Sequence, residues 1–294
     1  MLTSQSLRDV HATHANKHPN DFFYLLVDHA GMPGLHRELQ RSKIEWVSLF
    51  EGTTQVNALS VAPLLVCIQT RSPTLRDDWL LRWICETGAY SSSLMLIASR
   101  LSMRVLAERL TARLDAKISE DMDVLLRYFD PRVFEQMVRV LSVEQLASFF
   151  SVASAWWYVN RIGELQAVEA QFSEIDAFGS PLMLSARQEH ELVEASEIDQ
   201  IEEQLRRSVP DEFARLVGAE RHRFLVRHID AAREFRITST RELILYCALA
   251  LVYGPDFSTR PEWAPKLDLI REGKNELSDV VASLNESSIY KGNQ

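Results

Sequence analysis

Glycine is scarce, ten residues in a chain of 294. None of the short patterns that depend on it occurs, neither GxGxxG nor GxxxxGKS/T nor GxSxG. Phosphate-cradling loops and a hydrolase nucleophile elbow are therefore not expected. Cysteine is scarcer still. Cys67, Cys85 and Cys247 stand far apart in apolar surroundings, with no CxxC pair and an odd count, and read as reduced core thiols of a cytosolic protein rather than a disulfide framework. Long apolar runs are missing too: Leu243 to Tyr253 is far too short to span a hydrocarbon core of about 30 Å. The first twenty residues lack the apolar stretch of a secretory signal. Positive charge is in deficit, with 32 Lys and Arg against 41 Asp and Glu for a net charge of -9, which argues against a nucleic-acid-binding surface. The expectation is a cytoplasmic protein with no nucleic-acid, membrane or cofactor partner.

What is present is ordinary for a globular chain: 46% hydrophobic and 25% charged residues, enough to bury a full core in one large or two modest domains. The charge is unevenly spread. Residues 1–150 hold 16 basic and 17 acidic residues and residues 151–294 hold 16 and 24, so the second half carries nearly all of the excess. Within it, residues 164–212 contain 13 acidic and three basic side chains. That stretch reads either as a solvated helix face or as a docking surface for a basic partner.

The first half alternates apolar runs of strand length with helical stripes. Strands are expected at Phe22–Val27, Trp46–Phe50, Leu64–Ile68, Leu94–Ala98 and Val124–Phe129. Helices are expected after Gly34, from Asp77 and Asp78 to a stop at Gly88, and along Met103, Leu106, Leu110 and Leu114. Asp130-Pro131 ends the fifth strand and opens a helix, with Asp130 as N-cap and Pro131 in the first turn. Ser142 with Gln145 has capping-box spacing. A hairpin of Ala155–Val159 and Gln166–Phe172 closes the first domain, and Phe178-Gly179-Ser180-Pro181 is the expected boundary. Beyond it the pattern is helical: a possible capping box at Ser185 and Gln188, a seam of Ile198, Ile201, Leu205 and Val209, a segment Phe213–Ile229, a capped helix from Ser239 to Gly254, and a last helix over Asp268–Leu284. The fold class expected is α/β (α+β), an N-terminal lobe (1–178) with a mixed sheet flanked by helices and an all-helical C-terminal lobe (179–294).

Few residues assemble into recognisable chemistry. Arg127, Asp130 and Arg132 suggest an ion cluster that locks a corner of the fold. Asp28-His29, at the end of the first strand, offers a general-base pair by position, or else a capping Asp and a solvated His. His11, His14 and His18 share a helical face, but in a polar terminal segment they are expected on a surface helix or frayed tail rather than a metal site. His190-Glu191 opens like HExxH, yet Glu194 fills the fifth position. Trp79 with Trp83, and Trp156 with Trp157, read as core aromatics before ligand stackers.

Five segments in order, FYLLVDHA (Phe23–Ala30), WVSLFEGT (Trp46–Thr53), APLLVCI (Ala62–Ile68), LLRYFDPRVF (Leu125–Phe134) and QLASFF (Gln145–Phe150), together resemble the type VI secretion adaptor-chaperone family, the Tap or TEC proteins. The resemblance covers about residues 22–150 and departs at Ser91–Ser93 and Ser151-Val152, where that family often has glycines and a Gly-Pro. It implies a bacterial cytoplasmic non-enzyme that holds a toxic effector and helps load it onto a VgrG-type spike or PAAR-containing tip, with the helical lobe tuning the choice of effector. On that reading Tyr24, Asp28, Glu51, Glu194, Glu197, Glu202 and Glu203 are candidate partner contacts, and Arg127, Asp130 and Arg132 support the first lobe. Two rival readings are an α/β hydrolase or transferase using Asp28, His29 and Asp130, and an immunity protein that blocks a toxin with its acidic surface.

Overall fold

The computed structural model describes residues 4–68, 75–91, 93–118, 122–161, 164–216 and 219–283. It divides into two compact units, Met1–Val193 and Glu194–Gln294.

The first unit is built on a six-stranded sheet whose inner strand β1 (Phe22–Asp28) is buried from Phe23 onward. An unbroken apolar run suits a strand covered on both faces. β3 (Pro63–Cys67) and β4 (Leu94–Ser99) flank it, placing Cys67 and Ile97 on either side of Tyr24. β2 (Trp46–Ser48) lies beyond β3, and the hairpin β7 (Ala155–Val159) and β8 (Leu165–Glu169) lies beyond β4, giving the order β2-β3-β1-β4-β7-β8. Every pair in it is antiparallel. The mixed pairing belongs to a small second sheet, in which β5 (Asp115–Ile118) runs antiparallel to β6 (Met122–Leu125) and parallel to β9 (Leu182–Met183).

Alternation along the strands sends neighbouring side chains to opposite faces. Phe23 and Trp157 meet helix α1 (Ser4–Lys17) through His11 and His14, with ring centroids 4.4 Å and 5.2 Å apart. α3 (Leu75–Tyr90) packs against α1 and β4. On the other face Trp156 packs against Phe134 of α5 (Pro131–Val140) and Phe150 of α6 (Val143–Phe150), at 5.6 Å and 5.5 Å. α4 (Met103–Ala112) packs against β3, and a short α2 (Leu35–Gln40) follows the first strand.

Several local expectations are corrected. Gly88 does not stop its helix, which runs on to Tyr90; a Cβ at Gly88 would sit 2.8 Å from the Leu94 Cβ, so the glycine serves close helix-to-strand approach. The strand expected to reach Phe129 ends at Leu125. There the chain turns inward: Leu126 N–H donates to the Leu114 carbonyl at 2.7 Å, and the buried Tyr128 hydroxyl donates to Leu110 at 2.8 Å. Asp130 caps α5 with Pro131 in its first turn, and Ser142 and Gln145 form a reciprocal capping box on α6. The division between units falls at 193/194, beyond the expected Phe178. β9, together with the buried Leu182 and Leu184, still belongs to the first core. Ile162, Gly163 and Leu284 lie outside the described residues.

The second unit is helical. α7 (Ala186–Ser208) begins within the residues of the first unit, where Ser185 and Gln188 are bonded reciprocally at 3.0 Å and 3.3 Å, and continues past Glu194 into the second. α8 (Pro210–Ala214), α9 (Ala219–Glu234), α10 (Thr240–Tyr253) and α11 (Ala264–Arg271) follow. The expected single segment after Pro210 is thus two helices. The expected last helix is also two, because Gly273 adopts φ +74° after α11 and a new helical stretch covers 277–283. Its start is held by the Glu242 carboxylate, which accepts from the backbone of Leu277 and Ser278 at 2.7 Å and 3.1 Å. The core gathers Ile201, Leu205, Leu225, Ile229, Tyr246 and Trp263.

His228 lies buried in that core, its Nε2 without a hydrogen-bond partner among the described residues. Burial, then the nearby Arg227, lower its pKa to about 4, with Asp256 opposing. A depressed histidine contributes stability that is intact above its unfolded pKa near 6.5 and is lost as pH falls through the folded value. In urea unfolding followed by far-ultraviolet circular dichroism, wild type is expected to lose stability between about pH 6.5 and 4.5 more steeply than His228→Leu. Equal slopes would show that the imidazole titrates freely.

Candidate functional site

The corner where β1 ends and α5 begins collects the charged residues singled out in the sequence. Asp28 is 4% exposed; its Oδ1 accepts from Ala30 N at 3.0 Å and its Oδ2 from Arg127 Nη2 at 2.8 Å. The same guanidinium lies 3.7 Å from Asp130 Oδ2, and Arg132 grips Asp130 with Nε and Nη2 at 3.0 Å and 2.8 Å. Arg127 therefore bridges two buried carboxylates that are far apart in sequence, while its own side chain stays half exposed. Burial raises the Asp28 pKa above the usual carboxylate range; Arg127 opposes the rise and Asp130 adds to it.

His29 is buried beside this corner. Its Nδ1 lies 2.6 Å from the Leu59 carbonyl, which can only accept, so Nδ1 donates there, and Nε2 faces His36 Nδ1 at 3.1 Å. Asp28 and Asp130 thus share Arg127, while His29 turns to Leu59 and His36 instead. The arrangement suits a fixed corner better than proton transfer.

Of the other named residues, Tyr24 is 1% exposed and donates its hydroxyl to the Leu101 carbonyl, beneath the surface. Glu51 is exposed and lines a cavity of about 650 Å³ with Trp46, Arg104 and Glu108. The acidic side chains of α7 are engaged: Glu197 pairs with Arg233 at 2.8 Å, Glu202 with Arg206 at 2.8 Å and Glu203 with Arg207 at 2.7 Å, and Glu194, exposed at the surface, also has a partner. The last two pairs are i,i+4 contacts that support the helix itself.

Two features escaped sequence reasoning. Arg113 is fully buried, and its guanidinium hydrogen bonds reach the carbonyls of Phe149, Arg109 and Ser148 and both oxygens of Asp176. Its guanidinium carbon also lies 4.5 Å from the Phe178 ring centroid, which ties the expected linker into the first core. The available signal was its place three residues after Leu110, where the apolar stripe of α4 would continue just past the helix end at Ala112. The second feature is His14, 9% exposed and bonded to Asp21 at 2.8 Å, so the histidine stretch is a packed helix and not a frayed tail. Among the described residues, His14, His18 and Asp21 bring ligand atoms within 4.8 Å of one another.

No curated protein and no solved structure matches the chain. Residues 23–148, which run from β1 into α6 and include the Asp28–Arg127–Asp130 corner, match the family model described as domain of unknown function DUF4123.

Proposed function

We propose that this chain is an adaptor-chaperone of bacterial type VI secretion, holding an effector in the cytoplasm and helping to load it onto a VgrG-type spike or PAAR-containing tip. The observation that carries this reading is coincidence of extent. The stretch matched by the family model, residues 23–148, falls within about residues 22–150, over which the five segments resemble that adaptor family. Geometry supports it in a second way: the charged corner is spent on internal ion pairs, which suits a rigid platform. The helical unit, outside the match, is where effector choice would reside.

Capture of the tagged chain from its native host, read by mass spectrometry, should retain a toxin-like effector and a spike protein; retention of neither above a control capture would sink the proposal. Of the acidic candidates, Glu194 is exposed and the Glu203 side chain, paired with Arg207, is 43% exposed. Reversing both, Glu194→Lys with Glu203→Lys, should slow effector association about tenfold at low salt with little change in melting temperature, since such charges steer encounter. Unchanged association would move the effector surface elsewhere on the molecule.

A further inference from the structure

His14 on α1 and His18, the first residue past its end, lie one turn apart, with His18 N–H donating to the His14 carbonyl at 2.8 Å and the rings stacked, centroids 4.5 Å apart and planes at 24°. Two histidines at i,i+4 can address a single ion from one helix face. Asp21, at the head of β1, brings a carboxylate with no side-chain exposure to the same point. Its Oδ2 accepts from His14 Nε2 at 2.8 Å and from the Ser154 hydroxyl. Its Oδ1 is buried without a hydrogen-bond partner among the described residues. That oxygen forms an ion pair with Arg100 Nε at 3.6 Å, too long for a hydrogen bond and from a half-exposed side chain. A wholly buried carboxylate oxygen that meets no hydrogen-bond donor and only a long, half-exposed ion pair is under-satisfied, and has room for a closer partner.

Ser154, His14 and Asp21 do not make a nucleophilic triad. Such a relay needs hydroxyl and carboxylate on opposite ring nitrogens, whereas both Ser154 Oγ, at 3.3 Å, and Asp21 Oδ2 meet the same His14 Nε2. Beside the cluster opens a cavity of about 710 Å³ lined by His14, His18, Ser154, Trp157 and Arg100.

We propose that His14, His18 and Asp21 bind a divalent transition-metal ion, zinc before others, through two imidazole nitrogens and one carboxylate oxygen. The donor set excludes calcium and magnesium as preferred occupants, because both favour all-oxygen shells. Three protein ligands leave a fourth position open, and the cavity supplies room for water or a partner's side chain there. The Ser154 hydroxyl orients the Asp21 carboxylate from outside the ligand set. The ion takes the place of the hydrogen bond between His14 and Asp21 and fastens α1 to the start of the central strand.

The test uses full-length protein free of any polyhistidine tag and stripped with chelator, titrated with zinc sulfate by calorimetry and followed by thermal melting. One ion per chain is expected, with the melting temperature raised about 5 °C at a hundredfold excess over Kd. His18→Ala removes a ligand whose ring packs on His14, so it should keep a metal-free melting temperature near wild type while weakening binding about tenfold or more. Asp21→Asn serves as a second variant with the same expected loss of binding. No saturable binding by wild type, or binding and thermal shift unchanged in both variants, would overturn the site.

Discussion

Replacing Arg113 by alanine is expected to destabilise the first unit by about 3–5 kcal/mol, the range for breaking a buried ion pair from one side. The side chain is fully buried and bonded to three carbonyls and one carboxylate. Alanine would leave those acceptors facing a void, and each unpaired buried polar group costs about 1–3 kcal/mol. Urea unfolding followed by tryptophan fluorescence reports this unit, because five of the six tryptophans, Trp46, Trp79, Trp83, Trp156 and Trp157, belong to it. The partner supplies a pH signature. Burial works against the charge of Asp176, but the hydrogen bonds and charge of Arg113 outweigh it and hold that carboxyl below its usual range. A depressed carboxylate contributes stability above its unfolded pKa, near 3.9, that is lost as pH falls through the folded value. The stability gap between wild type and Asp176→Asn should therefore close as pH drops below about 4. A gap constant with pH, or an Arg113→Ala variant as stable as wild type, would show that water reaches this guanidinium.

The second large effect is expected at Trp156, which pairs with Ile97 of β4 on one side and Val168 of β8 on the other. Phe134 and Phe150 meet its ring from two helices, so Trp156→Ala empties the space that joins both to the sheet. The expected cost is about 3–5 kcal/mol. Trp156→Phe should cost much less. Its buried indole N–H has no acceptor among the described residues, so its removal orphans nothing and a six-membered ring still meets both phenylalanines. If the two variants melt alike, the helices draw their hold on the sheet from elsewhere.

The contrast between these positions explains what was legible in the sequence. Trp156 sits in an apolar run, and β1, β4 and β7 announced themselves because a strand covered on both faces must be apolar without interruption. Caps were legible because they act over three residues: Asp130 with Pro131, Ser142 with Gln145, Ser185 with Gln188. Arg113 was not legible as a core residue, since its acceptor Asp176 lies 63 positions away and a basic residue after a helix reads as a solvated C-terminal charge. β5 and β9 were missed because DAKI is only four residues long and opens with residues that strands disfavour, and β9 is two residues long. At the candidate site, Arg127, Asp130 and Arg132 were named from sequence, but the joining of Arg127 to Asp28 depends on tertiary folding. For α1, its polar composition hid a packed face, and only the folded chain carries Asp21 back beneath His14.

The two rims of the six-stranded sheet have a consequence for how this chain behaves when crowded. An unpaired ladder is a template on which another molecule can zip up. One rim, β2, offers three residues, and the other, β8, ends in Glu169 with Glu164 immediately ahead of its first residue. A second copy approaching β8 in register would bring its own carboxylates against these before a single ladder bond formed. Fibrous self-stacking is thereby discouraged at both margins, and newly made chains are left to complete their own pairing.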